Sequence, residues 1–231
     1  MRRMLISGLL LLPSGLTGFA QTPPAIAQPA ASPEWVSFLG PFPAVESDEG
    51  KADLAILLWH QRTRTPADIQ RAASEVKLTL EAYATASGRS LNPTQFPKTA
   101  ALIDKVGKDT KAVTDSLKKH FQRPRPYLTD GRVQPAIERE TSPSYPSGHA
   151  TRGVIFGIIL GELAPERREA LLVAGRQVGV DRVIGGVHYP SDIEAGQRLA
   201  FRLAAAWLAD PQNRAAVDAV RVAEWSQPAK P

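Results

Sequence analysis

Between His149 and Leu163 the chain carries Val154, Ile155, Phe156, Ile158, Ile159 and Leu160, interrupted by Gly153, Gly157 and Gly161 at a spacing of four. A helix that is apolar on nearly every side has no face for solvent, so other elements must enclose it. Glycine at every fourth position lets a neighbouring helix approach closely. Glu162 and Pro165 stop the run after about 11 residues, well short of a membrane span. The segment is therefore the central helix of a helical protein. The rest of the pattern agrees. Helical segments are expected over 47–64, 65–86, 97–119, 149–163, 165–180, 190–209 and 211–225, with Thr65 as N-cap and Pro66 at the first helical position of the second. Strand-type alternation is nearly absent. The fold class read from the sequence is all-α, a single-domain helical bundle.

The 231 residues are 43% hydrophobic and 22% charged, enough for one sizeable core and too apolar for a disordered chain. The absence of Cys excludes disulfides, thiolate metal sites and Cys nucleophiles. Net charge is +5, with no Lys/Arg stripe interleaved with aromatics, so a nucleic-acid partner is not expected. Residues 1–20 read as a secretory signal: Arg2 and Arg3, an apolar Met4–Leu12 stretch, and small residues at Gly18 and Ala20, with an alternative cut after Ala27. Residues 21–45 form a Pro-rich arm, expected to be extended, whose Trp35, Phe38, Leu39 and Phe42 lie against the domain. The domain proper is 46–231.

Three segments concentrate chemistry. In the first, Lys118 precedes Arg123-Pro124-Arg125-Pro126, where each Pro stiffens the backbone beside an Arg. A guanidinium on a rigid loop suits bidentate contact with an oxyanion, though basic residues at a helix end often only complement its dipole. The second is Pro146-Ser147-Gly148-His149 at the entrance to the central helix. Ser and Gly there suit plain capping. They equally suit an anion held by the Ser147 and Gly148 amides and the Ser147 hydroxyl, with His149 beside it to move a proton. In the third, Arg182 precedes His188 and Asp192, which are four apart and share a helix face if the helix begins near His188. A carboxylate on one imidazole nitrogen fixes the tautomer and frees the other as a nucleophile. Of the remaining histidines, His60 reads as a core or interface residue and His120 has no assigned role.

Together, in this order and spacing, the three segments resemble the three-part signature of the type 2 phosphatidic acid phosphatase (PAP2) and vanadium haloperoxidase superfamily. The Phe38–Val45 stretch adds a likeness to the bacterial class A non-specific acid phosphatases. That resemblance implies an all-α fold, a periplasmic or secreted location, no metal or other cofactor, no stable membrane insertion and a homo-oligomer. It implies His188 as nucleophile, Asp192 as its orienting carboxylate and His149 as general acid and base. Lys118, Arg125, Ser147, Gly148 and Arg182 would bind phosphate. The implied substrates are small phosphomonoesters (nucleotide, sugar and aryl phosphates), with inorganic phosphate or vanadate as inhibitor and alcohols as alternative acceptors. A lipid phosphate or pyrophosphate phosphatase and a vanadate-dependent haloperoxidase use the same signature and remain alternatives, as does an anion-binding protein without turnover. One departure stands out. The family commonly has Ser before the Arg of the third segment, where this chain has Asp181. An acid there weakens anion binding if it faces the site and is harmless if it pairs with another base.

Overall fold

The computed structural model describes residues 32–226; the expected signal segment and the first part of the arm lie outside them. Every regular element among the described residues is helical. The α-helices are α1 (Pro33–Leu39), α2 (Asp48–Thr63), α3 (Pro66–Ser74), α4 (Ala84–Ser87), α5 (Pro97–Phe121), α6 (Pro126–Thr129), α7 (Gly148–Leu163), α8 (Arg168–Ile184), α9 (Pro190–Ala209) and α10 (Pro211–Val220), with short helical turns of other pitch over Leu80–Tyr83, Pro165–Arg167 and Arg221–Trp225.

The expected central helix is α7. It packs against α5, α8 and α9, and Val154, Ile155, Ile159 and Leu160 are fully buried on its different sides. Leu117 of α5, Leu171 of α8, and Leu199, Leu203 and Trp207 of α9 complete the core around it. The glycine stripe meets α8. A Cβ on Gly153 would stand 2.4 Å from the Gly175 carbonyl oxygen, and one on Gly175 would stand 2.3 Å from that of Gly153. Neither residue tolerates a side chain, and their contact sets the distance between the helices that carry His149 and Arg182. Among the described residues no helix is long and apolar enough to cross a membrane.

Several boundaries differ from the sequence reading. The arm is helical rather than extended over Pro33–Leu39, with Pro33 in the first turn, Trp35 and Leu39 buried, and Gly40 (φ 70°) ending the helix. The single helix expected over 65–86 breaks after Ser74 and resumes as a short 3-10 turn over Leu80–Tyr83. Its first turn keeps Thr65 as cap, in a reciprocal box with Asp68. The break lies at Val76-Lys77-Leu78-Thr79, where β-branched residues disfavour helix and the Val76 carbonyl has a tertiary partner instead. α8 runs four residues further than expected, which places Asp181 and Arg182 on its last turn. α9 begins at Pro190, so His188 precedes it rather than sharing its face.

Candidate active site

The three signature segments converge at one end of α7. Arg125 follows the end of α5, where Lys118 sits on the last turn; His149 is on the first turn of α7; Arg182 closes α8; His188 and Asp192 bracket the start of α9. All of these side chains are buried.

His188 is held on both nitrogens. Its Nδ1 lies 3.0 Å from Asp192 Oδ2, and Arg125 Nη1 donates to its Nε2 at 2.9 Å. An ionised carboxylate accepts and a guanidinium donates, so the proton is on Nδ1 and the Nε2 lone pair faces the site. The carboxylate makes this contact from inside the first turn of α9, where Asp192 Oδ2 also accepts from the Tyr189 amide at 2.9 Å and from Ser144 Oγ at 2.5 Å. The pairing is thus a helix-start bond rather than two residues on one helical face. Its other oxygen accepts from Arg123 Nη1 at 2.7 Å. Burial lowers the His188 pKa to about 3, Arg125 adds to this, and Asp192 opposes it, so the ring is neutral. Burial alone would raise the Asp192 pKa; His188, Arg123 and Ser144 outweigh it and hold the carboxyl well below the usual range.

Arg123, Asp53, Ser144 and Ser191 were not assigned roles from the sequence, and they form the support of this pair. Arg123 spans Asp192 and Asp53, donating to Asp53 Oδ2 at 2.9 Å, and its guanidinium lies 4.1 Å from the Tyr189 ring centroid and 5.1 Å from that of Phe42. The Ser191 amide donates to Asp53 Oδ1 at 2.9 Å and its hydroxyl bonds the other oxygen. Arg123 was visible in the Arg-Pro-Arg-Pro run. Asp53 carries no local signal, since it reaches the site from α2, 138 positions before Ser191.

His149 sits in a cleft of about 390 Å³ that Arg182 and Glu140 also line. Its Nε2 lies 3.0 Å from the Val76 carbonyl oxygen, an acceptor only, so Nε2 carries a proton and Nδ1 turns to Glu140 Oε1 at 3.6 Å. Burial, then Arg182 and Arg152, push its pKa down to about 4, with Glu140 pulling the other way. Arg182 bonds the Ala72 carbonyl and stands 3.8 Å from Glu75 Oε2. Its Nε is buried without a hydrogen-bond partner among the described residues, an exception that calls for an acceptor. Burial and the neighbouring Asp181 raise Glu75 to about 7.

Asp181 does not reach into the cleft. Arg71 of α3 holds it with two bonds, 2.9 Å to Oδ2 and 2.8 Å to Oδ1, and Gln177 adds a third at 3.0 Å.

Lys118 Nζ bonds the Pro143 carbonyl, and burial followed by Arg125 lowers its pKa to about 8. Ser147 caps α7 by accepting from the Ala150 amide, and its own amide is already committed to the Asp192 carbonyl at 3.0 Å. This corrects the expected pair of phosphate-binding amides: Ser147 has only its hydroxyl hydrogen left to offer an anion. The Gly148 amide opens the helix with no intrahelical acceptor. A Cβ there would meet nothing closer than 3.8 Å, so protein packing does not demand the glycine and the space above it is left clear.

Glu140 was also missed. It comes from the irregular loop before α7 and accepts from Arg125 Nη2 at 2.7 Å. Burial would raise its pKa, but Arg125, His188, His149 and Lys118 together hold it down at about 2. A carboxylate in that field offsets part of the charge of the surrounding cations. Among the described residues no group of three His, Asp or Glu side chains stands in a metal-binding arrangement.

Residues 109–216 match the PAP2 superfamily. An acid phosphatase of Zymomonas mobilis is 32% identical over 163 residues, 69% of this chain and 62% of that protein. A non-specific acid phosphatase of Salmonella typhimurium is 33% identical over 115 residues, 48% of this chain and 46% of that one. The chain thus aligns with roughly half to three fifths of the length of these curated relatives. A transmembrane PAP2-type phosphatidylglycerolphosphate phosphatase from Bacillus subtilis superposes with a TM-score of 0.48 and 21% identity, covering 74% of this chain and 88% of that one. The superfamily match over residues 109–216 and the sequence likeness to the two acid phosphatases show that the chain carries a PAP2-superfamily domain homologous to the bacterial non-specific acid phosphatases.

Proposed function

We propose that the protein is a phosphomonoesterase of the acid phosphatase type that works through a phosphohistidine at His188. The observation that carries this reading is the state of His188: neutral, protonated on Nδ1 by its contact with Asp192, and presenting Nε2 to a cation. A phosphate monoester brings up to two negative charges, its second pKa being about 6. It would take over the Arg125 donor from Glu140 and from Nε2, and add bonds to Lys118, the Arg182 Nε, the Ser147 hydroxyl and the Gly148 amide. Most catalysis of phosphoryl transfer is such positioning and charge stabilisation.

Nε2 then attacks phosphorus in line and the bond to the ester oxygen breaks. The departing alkoxide takes the proton from His149 Nδ1, and the imidazolium charge on the phosphorylated His188 is matched by Asp192. Water next attacks the phosphohistidine, His149 Nδ1 takes its proton, and phosphate leaves with His188 restored. His149 must be charged for the first step. Burial, Arg182 and Arg152 lower its pKa; a bound phosphate dianion raises it again, and Glu140 supports the charged form. With Asp181 paired to Arg71, the acid beside Arg182 does not compete for the anion. The N-terminal signal-like segment supports export to the periplasm.

The test is turnover of phenyl phosphate with phosphate and vanadate as competitors. The reading expects hydrolysis, competitive inhibition by both anions and loss of turnover in His188→Ala. Retained turnover in that variant overturns it.

A further inference from the structure

A second and larger cleft of about 710 Å³ lies beside the first, and the mechanism above does not use it. The two share the segment after α3: Val76 lines the cleft at His149 and Lys77 lines the second. They also share one face of α7, because His149 lines the first and Arg152, one turn later, lines the second. The second cleft therefore opens within one helical turn of His149.

The lining of the second cleft is of two kinds. Leu78, Ile103 and Phe156 supply an apolar surface, and Lys77, Lys108, Lys111 and Arg152 supply four cations against one acid, Asp104. Lys111 is paired with Asp115. Lys77, Lys108 and Arg152 form no ion pair or side-chain hydrogen bond among the described residues. Arg152 is only partly exposed; Glu140 and Asp115 act on its guanidinium from a distance, and no carboxylate among the described residues is bonded to it, so its donors are left for a ligand. Cations without partners around an apolar floor fit a ligand that is apolar in its middle and anionic at its end.

Resting on the proposed phosphomonoesterase reading, we propose that this cleft is a leaving-group subsite. It selects phosphomonoesters whose leaving group joins an apolar segment to a second anionic group. The ester phosphate sits at His188, the apolar segment lies on Leu78, Ile103 and Phe156, and the far anion meets Arg152, Lys77 and Lys108. The second charge can be a carboxylate or another phosphate, since amines and guanidinium bind either.

The test compares octyl phosphate with its ω-carboxylate at low ionic strength, using phenyl phosphate as reference. The subsite predicts kcat/KM roughly fivefold higher for the ω-carboxylate, the scale of one or two partly exposed ion pairs, with the preference shrinking as salt is added. A Lys77→Gln/Lys108→Gln variant, altered only at exposed positions outside the catalytic cleft, should lose the preference and keep its phenyl phosphate turnover. An equal or inverted preference in the unaltered protein, or one that survives in the variant, overturns the subsite. Binding of octylphosphonate and its ω-carboxylate, followed by calorimetry, reads the subsite without turnover, and equal affinities overturn it. Absence of phenyl phosphate hydrolysis by the unaltered protein overturns instead the reading of the reaction.

Discussion

The two histidines of the site are treated in opposite ways. On the His188 side the polar groups are matched: Asp192 accepts from His188, Tyr189, Ser144 and Arg123, and Arg123 is shared with Asp53 and flanked by two rings. On the His149 side the matching is incomplete. Arg182 Nε and Glu75 Oε2 are buried without hydrogen-bond partners, and a loop carboxylate, Glu140, stands among the cations. A nucleophile has to be aimed before the substrate arrives, and a closed network does that. A binding surface has to keep donors in reserve, and it is the unmatched side that offers them.

This contrast orders the expected effects of mutation. Replacing His188 by Ala removes the proposed nucleophile from the closed side and should cut turnover by on the order of a thousandfold or more, with the helical circular dichroism signal unchanged. His149→Ala acts on the open side and should depend on the leaving group. Alkyl phosphates should lose about a hundredfold or more, the usual worth of a general acid, whereas nitrophenyl phosphate, whose leaving group needs no proton, should lose far less. Equal losses on both esters would remove the general-acid role.

Asp53→Ala tests whether the closed side is closed for structural reasons as well. Arg123 would be left buried with one partner fewer, at a cost on the order of 3–5 kcal/mol, seen as a lower denaturation midpoint. The turnover of the folded fraction should fall too, because Arg123, released on its Asp53 side, holds Asp192 less firmly. A variant as stable as the parent would show that the Arg123 bridge is not a support.

Glu75 makes the open side sensitive to pH. Its folded-state pKa, about 7, lies above the usual 4.5, so the native protein holds this proton in a range where the unfolded chain releases it. The stability it contributes is full below about pH 4.5 and is lost as pH rises through about 7. The buried His149 and His188 have lowered values and act in the opposite direction, losing their stability as pH falls from 6.5. The quantity to read is therefore the difference between the parent and Glu75→Gln in denaturant midpoints from pH 5 to 8. The variant should gain relative to the parent as pH rises, and a pH-independent difference would contradict the assignment. The smallest effect belongs to Glu140→Gln. Removing the internal anion should tighten inhibition by phosphate and vanadate roughly threefold to fivefold, the scale of one partly exposed ion pair.

What the sequence disclosed follows from the range of each interaction. The central helix was legible because its apolar run and glycine stripe are local, and so were His188 and Asp192, four positions apart. Lys118, Arg125, Gly148, His149 and Arg182 came from short segments whose order resembles a known pattern. The supports did not show. Asp53 meets Ser191 from 138 positions away, and Arg71 meets Asp181 from 110 away, so no spacing announces either. The α3 break was missed for the same reason: the Val76 carbonyl turns outward to a histidine 73 positions later. Asp181 was visible as a departure, and only its partner on α3 decides which way it faces.

The central claim is that His188 Nε2 becomes covalently bonded to phosphorus. Rapid mixing with an aryl phosphate labelled at phosphorus, quenching in alkali to preserve phosphohistidine, and mapping the label by mass spectrometry test it directly. The account predicts label on the peptide that holds His188, formed within the first turnover and absent from His188→Ala. Label on another residue, or turnover with no phosphoenzyme at any mixing time, would contradict it.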